Sequence, residues 1–496
     1  MRSLVVLTLA VVACSAQATS LQDAEKELFG ARYKSAAELY AKIVKTDPAQ
    51  TSAYYGLVRA LIKDHRSEEA YAVAADALQK YPQVPDVLTA AGLAAYRHGD
   101  LAKAEQDFRL ALRLDADDAG ALKGLASIDS NVSLFKTSRE LAMAAWHKSP
   151  RDPELMIAHA NTLKGAEHVA ALQAALAILD PESESARWLK AHIANDIAVG
   201  ERKLSRLTSP YQKSTIKLFG IRDGPSHAFA VGIRVQFNES RGVDLLLDTG
   251  ASGISVSPKV AERAGLEILG NQAAEVKGIG DERAQTSYDY LASEVRIGDV
   301  VFANVPISVF RAAKSQDFDG LIGADVFHQF ITTIDFPRME LSLEPRSAGI
   351  PSESDEPRDA GPPVSGFNRA VRFGNHLALP TFINDGKPTL FLIDSGSSFN
   401  FIDTTIGRES SKVYRDGDGG IRGIQGKVKE VSRADRVTLL FAGFRQENPS
   451  LVAISLEKMS DSMGAAFGGV LGWPVLSQLV LTIDYRDGTL RFQYKK

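Results

Sequence analysis

The sequence predicts a multidomain α + all-β protein, with an N-terminal α-solenoid of helical hairpins followed by two β lobes. One observation behind this prediction is a 34-residue repeat in a region rich in Ala, Leu, Lys and Glu. The other is a duplicated Asp-Thr/Ser-Gly triplet, which starts at Asp248 and again at Asp394, each time after three apolar residues. Helical hairpins stack when their small residues recur at a fixed period, and an apolar run that ends in a Gly turn is typical of a buried strand.

Length and composition set the limits for this assignment. A chain of 496 residues is too long for one hydrophobic core, and a hydrophobic fraction of 45% is that of a globular protein. The formal net charge of −4 means that the chain has no excess of basic residues. On this ground we expect neither nucleic acid nor an anionic lipid surface as a partner.

The repeat defines the first predicted domain, residues 21–199. Its closing positions fall 34 residues apart, at Pro48, Pro82, Ala116 and Pro150. Small residues stand twelve positions before each of these, at Ala36, Ala70, Ala104 and Ser138. Eight positions before them stand Tyr40, Ala74, Phe108 and Ala142, and Gly92 occupies a small position in a first helix. This pattern resembles the tetratricopeptide repeat, and a fifth, irregular unit is expected over Asp152–Pro181.

Two roles remain open for the solenoid. It could be a spacer or capping domain, or its concave surface could bind a peptide or a partner protein. We favour the binding role. Because positive and negative residues are mixed along the repeats, the sequence gives no charge for the ligand.

The duplication behind the two β lobes extends well beyond the triplets. A Gly-Ile sequence follows Asp248 by 30 residues and Asp394 by 29, and the second Gly of a Gly-apolar-apolar-Gly turn follows them by 75 and 78. A Thr-Ile-Asp-aromatic sequence closes each copy, its aspartate 87 and 90 residues after the first one. Four landmarks in the same order at nearly equal spacing indicate an internal duplication.

These landmarks resemble the retropepsin-like aspartic proteases. The resemblance implies two retropepsin-like β lobes, residues 218–346 and 367–496, which form a pepsin-like pseudo-dimer within one chain. Residues 347–366, rich in Pro and acidic residues, are predicted to be the linker between them, and residues 200–217 the linker that precedes the first lobe. Because each chain carries both lobes, we expect a monomer.

The resemblance also assigns roles. Asp248 and Asp394 become the catalytic pair, which hydrolyses a peptide bond through an activated water. The loop-supporting residues are Thr249, Gly250, Ser395, Gly396 and Ser397. The turns behind the site contain Gly323 and Gly472, and the flap candidates are Gly278, Ile279, Gly280, Gly423, Ile424 and Gln425. The expected substrate is a polypeptide.

The flaps depart from the better-known members of the family, because neither carries the tyrosine of the pepsin flap. An alternative therefore stays open, namely a non-catalytic adaptor with a degenerate protease fold that only binds peptides. Both aspartates and both hydroxyl residues are present, which favours the enzyme.

The residue after each triplet suggests where the shared proton lies. Ser397 offers a hydroxyl to the nearby carboxylate, whereas Ala251 offers none. A hydrogen bond to the charged form lowers a carboxyl pKa, so we expect the proton mainly on Asp248.

The N-terminus predicts export. Arg2 precedes the apolar stretch Leu4–Ala13, which is too short to span a bilayer and is typical of a signal peptide, residues 1–18. Cys14, the only cysteine, could instead be the lipidated residue of a bacterial lipoprotein. An exported chain without disulfides favours a bacterial periplasmic protein, either free or anchored to the membrane by lipid.

Other site chemistries find no support in the sequence. The nine histidines include no His-Glu-x-x-His motif, and one cysteine cannot form a zinc cluster. We therefore expect no metal and no cofactor. His328 and His376 are interpreted as residues that satisfy local hydrogen bonds.

Overall fold

The structure is a computed structural model, which describes residues 21–222, 228–269, 274–276, 279, 285–310, 319–346, 357–416, 421–423 and 426–494. The chain divides into two compact units. One contains the described residues up to Asp129 together with Thr137–Ile193, and the other contains Ser130–Lys136 together with the described residues from Ala194 onward.

The first unit is entirely helical in its described part. Its first helix, α1, covers residues 21–29. The helices that follow are α2 Tyr33–Thr46, α3 Ser52–Lys63, α4 Ser67–Lys80, α5 Pro85–Arg97, α6 Leu101–Leu114, α7 Ala119–Asn131, α8 Phe135–Lys148, α9 Pro153–Ala160, α10 Gly165–Leu176 and α11 Glu184–Val199. The irregular fifth unit expected after Asp152 consists of the short α9 followed by α10.

Large rings on the second helix of a hairpin pack against glycines on neighbouring first helices. A Cβ placed on Gly92 in α5 would lie 2.7 Å from the Phe108 ring of α6, and Gly124 in α7 meets the other side of that ring. Gly56 in α3 meets the ring of Tyr40 in the same way. The 34-residue repeat thus places a bulky residue where its neighbours have no side chain.

The small residues of the repeat are buried where the helices cross. Ala36, Ala70 and Ala104 are completely inaccessible to solvent. Such crossings bring the helix backbones close together, which only small side chains allow. Among the described helices, none is both long and apolar enough to cross a bilayer.

The second unit contains the strands. Those before the linker are β1 Arg206–Leu207, β2 Ser214–Lys217, β3 Phe219–Arg222, β4 Ala228–Phe237, β5 Val243–Asp248, β6 Ile254–Val256, β7 Glu267–Ile268, β8 Ala274–Val276, β9 Gln285–Ile297, β10 Val300–Phe310, β11 Gly320–Gly323, β12 Ile331–Asp335 and β13 Glu340–Glu344, with helix α12 at Pro258–Arg263 and a 3₁₀ turn at Ala324–Phe327. Residues 200–217, expected as a linker, contribute β1 and β2 to the sheets.

The strands after the linker are β14 Asn368–Arg369, β15 Val371–Phe373, β16 His376–Ile383, β17 Pro388–Ile393, β18 Phe401–Asp403, β19 Val413–Arg415, β20 Arg422–Gly423, β21 Gly426–Lys427, β22 Ser432–Phe441, β23 Phe444–Ile454, β24 Gly469–Leu471, β25 Leu479–Asp484 and β26 Thr489–Tyr494. The helices there are α13 Thr404–Ser410, α14 Glu457–Met463 and α15 Trp473–Leu476. Within the predicted linker 347–366, residues 347–356 lie outside the described part of the chain.

The two lobes repeat one sheet topology. In the first lobe neighbouring strands follow the order β4-β5-β11-β6-β10, and in the second they follow β16-β17-β24-β18-β23. In both, a long hairpin partner closes the sheet: β9 pairs with β4 and β10, and β22 pairs with β16 and β23. The duplication read from the landmarks is therefore also present in the strand connections.

A third sheet joins the lobes. It has six strands in the order β14-β26-β25-β12-β13-β2, so three strands from the second lobe lie beside three strands from the first. At its centre β12 pairs antiparallel with β25, and Thr333 lies opposite Thr482 with their hydroxyl oxygens 3.1 Å apart. The closing landmarks of the two copies therefore pair with each other. The predicted class, a helical repeat region followed by β-rich lobes, is confirmed.

Candidate active site

The two aspartates of the triplets meet at the junction of the lobes. Asp248 is the last residue of β5, and Asp394 directly follows β17. Their carboxyl groups are hydrogen-bonded to each other. The glycines beside them make this approach possible, because a Cβ on Gly250 would lie 2.5 Å from Cγ of Asp394 and one on Gly396 would lie 2.6 Å from Cγ of Asp248.

Two buried hydroxyls tie the loops together across the lobes. The backbone N–H of Ser395 donates to Thr249 Oγ1 at 2.9 Å, and the backbone N–H of Thr249 donates to Ser395 Oγ at 3.0 Å. Each hydroxyl then donates to a carbonyl of the opposite lobe, Thr249 to Ile393 and Ser395 to Leu247, both at 2.9 Å. This reciprocal arrangement fixes the distance between the two carboxylates.

Backbone N–H groups bind the outward sides of the pair unequally. Asp248 Oδ1 accepts from the Gly250 N–H at 2.8 Å. Asp394 Oδ1 accepts from the N–H groups of Gly396 and Ser397, both at 2.9 Å. The Ser397 hydroxyl, expected on the Asp394 carboxylate, donates instead to the carbonyl of Phe399 at 2.8 Å. The asymmetry between the loops therefore comes from a backbone donor.

Burial and mutual repulsion control the charge of the pair. Burial raises the pKa of Asp394 well above its usual range, and the adjacent Asp248 carboxylate raises it further. Burial also raises the pKa of Asp248, but the hydrogen bond from Asp394 and the Gly250 N–H oppose that rise. Because both pKa values are raised and the carboxyl groups share a hydrogen bond, the pair keeps one proton. The expectation that this proton lies mainly on Asp248 relied on a Ser397 hydroxyl contact that goes instead to the Phe399 carbonyl, and it stays a prediction.

The two predicted turns pack directly behind the loops. Strand β11 runs parallel to β5 with Gly323 opposite Asp248, and β24 runs parallel to β17 with Leu471 opposite Ile393. A Cβ on Gly323 would lie 2.6 Å from the carbonyl oxygen of Ala251. At Gly472 the close neighbours are the carbonyls of Ser397 and Phe399. Both turns need glycine because the loop carbonyls occupy the space of a side chain.

Three residues that the sequence interpretation did not assign to the site support the Asp248 loop. Asp325 accepts from the Gly253 N–H at 3.0 Å and from the Ser252 hydroxyl at 3.1 Å. Asn375, from the other lobe, donates to Asp325 at 2.7 Å and to Ser252 at 2.9 Å. Asp325 stands two residues after the Gly-apolar-apolar-Gly landmark of the first copy, whereas Pro474 stands at the matching place in the second. This difference between the copies was the sequence signal that could have pointed to Asp325.

The third of these residues, His376, follows Asn375 at the start of β16. Its Nδ1 is buried and has no hydrogen-bond partner among the described residues. Burial lowers the pKa of this imidazole, while the nearby Asp248 raises it. The ring does hydrogen-bond to the backbone of Gly250, so the interpretation of His376 as a local hydrogen-bonding residue holds, although Nδ1 takes no part in it. His328 also matches this interpretation, because its Nδ1 lies 3.0 Å from the carbonyl of Asp325.

The flap candidates are described only in part. Gly278, Gly280, Ile424 and Gln425 lie outside the described residues, and Ile279 forms a bend. Gly423 belongs to β20 and pairs with Gly426 of β21 in a two-stranded ladder. The described residues around the carboxyl pair form no cluster of three metal-ligating side chains.

Comparisons with known proteins match both halves of the chain. Residues 233–326, which include the Asp248 loop and Gly323, match the family model described as Aspartyl protease. Residues 31–94 match the model described as Tetratricopeptide repeat. The predicted resemblance, a retropepsin-like aspartic protease domain preceded by tetratricopeptide repeats, is confirmed.

Individual relatives are distant. A TPR repeat-containing protein of Pseudomonas aeruginosa is 28% identical over 98 residues, which are 20% of this chain and 17% of that protein. The crystal structure of a retropepsin-like aspartic protease from Rickettsia conorii has 20% sequence identity and a TM-score of 0.21, and the match covers 28% of this chain and 96% of that one. The crystal structure of Basic 7S globulin from soybean has 8% sequence identity and a TM-score of 0.31, and the match covers 58% of this chain and 97% of that one.

Proposed function

We propose that this protein is an aspartic endopeptidase whose catalytic unit is the Asp248–Asp394 pair. The observation that carries the proposal is the hydrogen bond between two partly buried carboxyl groups, one from each lobe. Two carboxylates this close cannot both be ionised, so the pair holds one proton over a wide pH range. A singly protonated pair contains both the acid and the base that peptide hydrolysis needs.

The two roles need one proton on the pair. The ionised carboxylate takes a proton from a water molecule as the water oxygen bonds to the peptide carbonyl carbon. The protonated carboxyl group gives its proton to the carbonyl oxygen, which becomes a hydroxyl of the tetrahedral intermediate. The amide nitrogen then receives a proton from the pair, the C–N bond breaks, and a carboxylic acid and an amine leave. The backbone donors on Asp248 and Asp394 hold both carboxylates in place during these steps.

The solenoid recruits the substrate or a partner protein in this proposal. Its support is the match to tetratricopeptide repeats over residues 31–94, because stacked hairpins of this type provide extended concave surfaces. A polypeptide bound there would present its exposed segments to a protease carried on the same chain.

We place the protein outside the cytoplasm of a bacterium, in the periplasm or attached to the membrane through Cys14. The support is the charged and apolar pattern of residues 1–18, and these residues lie outside the described part of the chain. Fractionation of cells that express the full chain would test this, with Cys14→Ser as the variant that prevents lipid attachment. Retention of the uncleaved chain in the cytoplasm would contradict export.

The activity is tested with a broad peptide library, with cleavage products detected by mass spectrometry between pH 3 and pH 8. Wild type should cleave internal bonds, and Asp248→Asn and Asp394→Asn should not. Asp403→Asn serves as a matched control, because Asp403 lies in the same lobe as Asp394 and its carboxylate caps helix α13. Absence of cleavage by the folded wild type across the library would favour the peptide-binding adaptor.

Activity on dilution tests the pseudo-dimer. Since both carboxylates belong to one chain, specific activity should stay constant as the protein is diluted. Loss of activity at low concentration would mean that the lobes pair between chains.

A further inference from the structure

A cavity of about 610 Å³ lies in the β unit, beside the loop that follows Asp248. Its volume is within the range of small-molecule sites, which is about 300–1,000 Å³. Ser252, Gly253 and Asp325 form part of its wall, whereas neither Asp248 nor Asp394 lines it. The cavity is therefore separate from the carboxyl pair, although it shares a loop with it.

One part of the wall is apolar and another is cationic. The apolar part contains Ile254, Phe302, Val305 and Pro306. The cationic part contains Arg358, Arg372 and Arg486. The carboxylate of Asp325, which also lines the cavity, already accepts hydrogen bonds from Ser252, Gly253 and Asn375. Arg358 forms an ion pair with Asp487, which leaves Arg372 and Arg486 against the single carboxylate of Asp325, so the net charge of the wall is positive.

Unsatisfied donors accompany this positive charge. The Tyr485 hydroxyl is buried, and it has no hydrogen-bond partner among the described residues. The Tyr485 residue is 2% exposed. Burial raises the pKa of this phenol, which therefore stays a neutral donor. Buried polar atoms without a protein partner are rare in folded proteins, and such a donor is available to an ordered water or a bound group.

Arg372 is oriented by its own backbone contacts. One terminal nitrogen donates to the carbonyl of Tyr485 at 2.6 Å, while Nε is buried and unpartnered among the described residues. Arg358 forms an ion pair with Asp487, and its Nε is likewise buried without a partner. Guanidinium groups with spare N–H donors bind carboxylates well, because their planar geometry matches the two oxygens.

We propose that this cavity binds a small organic acid, with its carboxylate at Tyr485 and Arg372 and its apolar body against Phe302 and Val305. Both parts of the wall are needed for this ligand, since an inorganic anion would leave the apolar part empty and a neutral molecule would leave the donors unsatisfied. The site is defined by binding alone and does not depend on the proposed protease activity.

Isothermal titration calorimetry of the full chain tests the proposal with three probes: 4-phenylbutyrate, its neutral analogue 4-phenylbutanol, and inorganic phosphate. We expect saturable binding of phenylbutyrate at one site per chain, at least tenfold tighter than either other probe. Equal affinity for phenylbutanol would overturn the anionic part of the proposal. Equal affinity for phosphate would overturn the apolar part, and no saturable binding of phenylbutyrate would overturn the whole.

Two variants locate the binding site. Tyr485→Phe removes only the hydroxyl, and Arg486→Gln removes one cation, so each should weaken phenylbutyrate binding at least fivefold. Tyr494→Phe and Arg445→Gln are the matched controls, because Tyr494 is 60% exposed and the Arg445 side chain is 57% exposed. Circular dichroism checks that each variant is folded. Unchanged affinity in both folded cavity variants would place the ligand elsewhere and refute the assignment.

Discussion

Replacing Thr249 by valine tests whether the buried hydroxyls hold the two lobes in register. Valine keeps the shape of threonine but offers neither a donor nor an acceptor. The Ser395 N–H would lose an acceptor at 2.9 Å, and the Ile393 carbonyl would lose a donor at 2.9 Å. Thr249 is 2% exposed, so water cannot easily replace either contact.

The magnitude follows from these two orphaned groups. A buried backbone group left without a partner costs about 1–3 kcal/mol, so the variant should lose about 2–6 kcal/mol of local stability. A loss of 2 kcal/mol corresponds to a roughly 30-fold larger opening constant. Hydrogen exchange with mass spectrometry reads this constant on peptides that contain β5 and β17.

Thr405→Val is the control for this measurement, because Thr405 is exposed on helix α13 of the same unit. Surface substitutions of this kind usually change stability by about 0.5 kcal/mol or less. If Thr249→Val left the exchange of β5 and β17 as slow as Thr405→Val does, the hydroxyls would not hold the lobes together.

Three further predictions concern the approach of the carboxyl groups, their proton and the solenoid. Gly250→Ala places a methyl group 2.5 Å from Cγ of Asp394, and the displaced carboxyl group should lower kcat/KM about 100-fold. Gly361→Ala is the control and should leave kcat/KM unchanged, because no atom lies within 4 Å of the added methyl group. The raised pKa of Asp394 means that its protonation stabilises the fold fully below the unfolded pKa of about 4, and that this stabilisation is lost as the pH rises through the folded pKa. Urea denaturation should therefore show a free energy of unfolding that declines over this pH range in wild type and changes less in Asp394→Asn. An equal decline in that variant would be the contrary result. Arg59→Met removes the partner of the buried Asp152 carboxylate, 2.6 Å away, and should lower the free energy of unfolding of the helical unit by about 3–5 kcal/mol in thermal or urea unfolding. Arg109→Met, at a side chain that is 57% exposed, should lower it little. Equal losses in the two variants would contradict a buried ion pair.

The sequence predicts the solenoid well because its packing is local. Tyr40 and Phe108 stand at the repeat positions where the structure packs rings onto glycines of adjacent helices. A helical hairpin contacts mainly its neighbours along the chain, so the period of small and bulky residues carries most of the information about its fold.

Pairing between the copies is not visible in the same way. From the sequence, the landmarks that close each lobe, around Thr333 and Thr482, indicate only equivalent positions in two copies. In the structure they are direct partners in one sheet. A repeat shows that two segments are equivalent but does not show that they touch, because that contact joins residues 149 positions apart.

The fine electrostatics of the site also depend on contacts that no spacing encodes. The sequence suggests the Asp394 carboxylate as the acceptor for the Ser397 hydroxyl, but the structure places this hydroxyl on the carbonyl of Phe399. Asn375 reaches the Asp248 loop from the opposite lobe through a hairpin turn. Side-chain orientation and approach across lobes decide such contacts, and both arise only when the tertiary structure has formed.

The central claim is that Asp248 and Asp394 act as one catalytic unit, and a double-mutant cycle tests it most directly. The measurement is kcat/KM for the best library peptide with wild type, Asp248→Asn, Asp394→Asn and the double variant. Groups that act as a unit are strongly non-additive, so each single variant should lose all measurable cleavage above the uncatalysed rate, and the double variant should lose no more. Substantial cleavage in either folded single variant, with a further loss in the double variant, would contradict the shared pair.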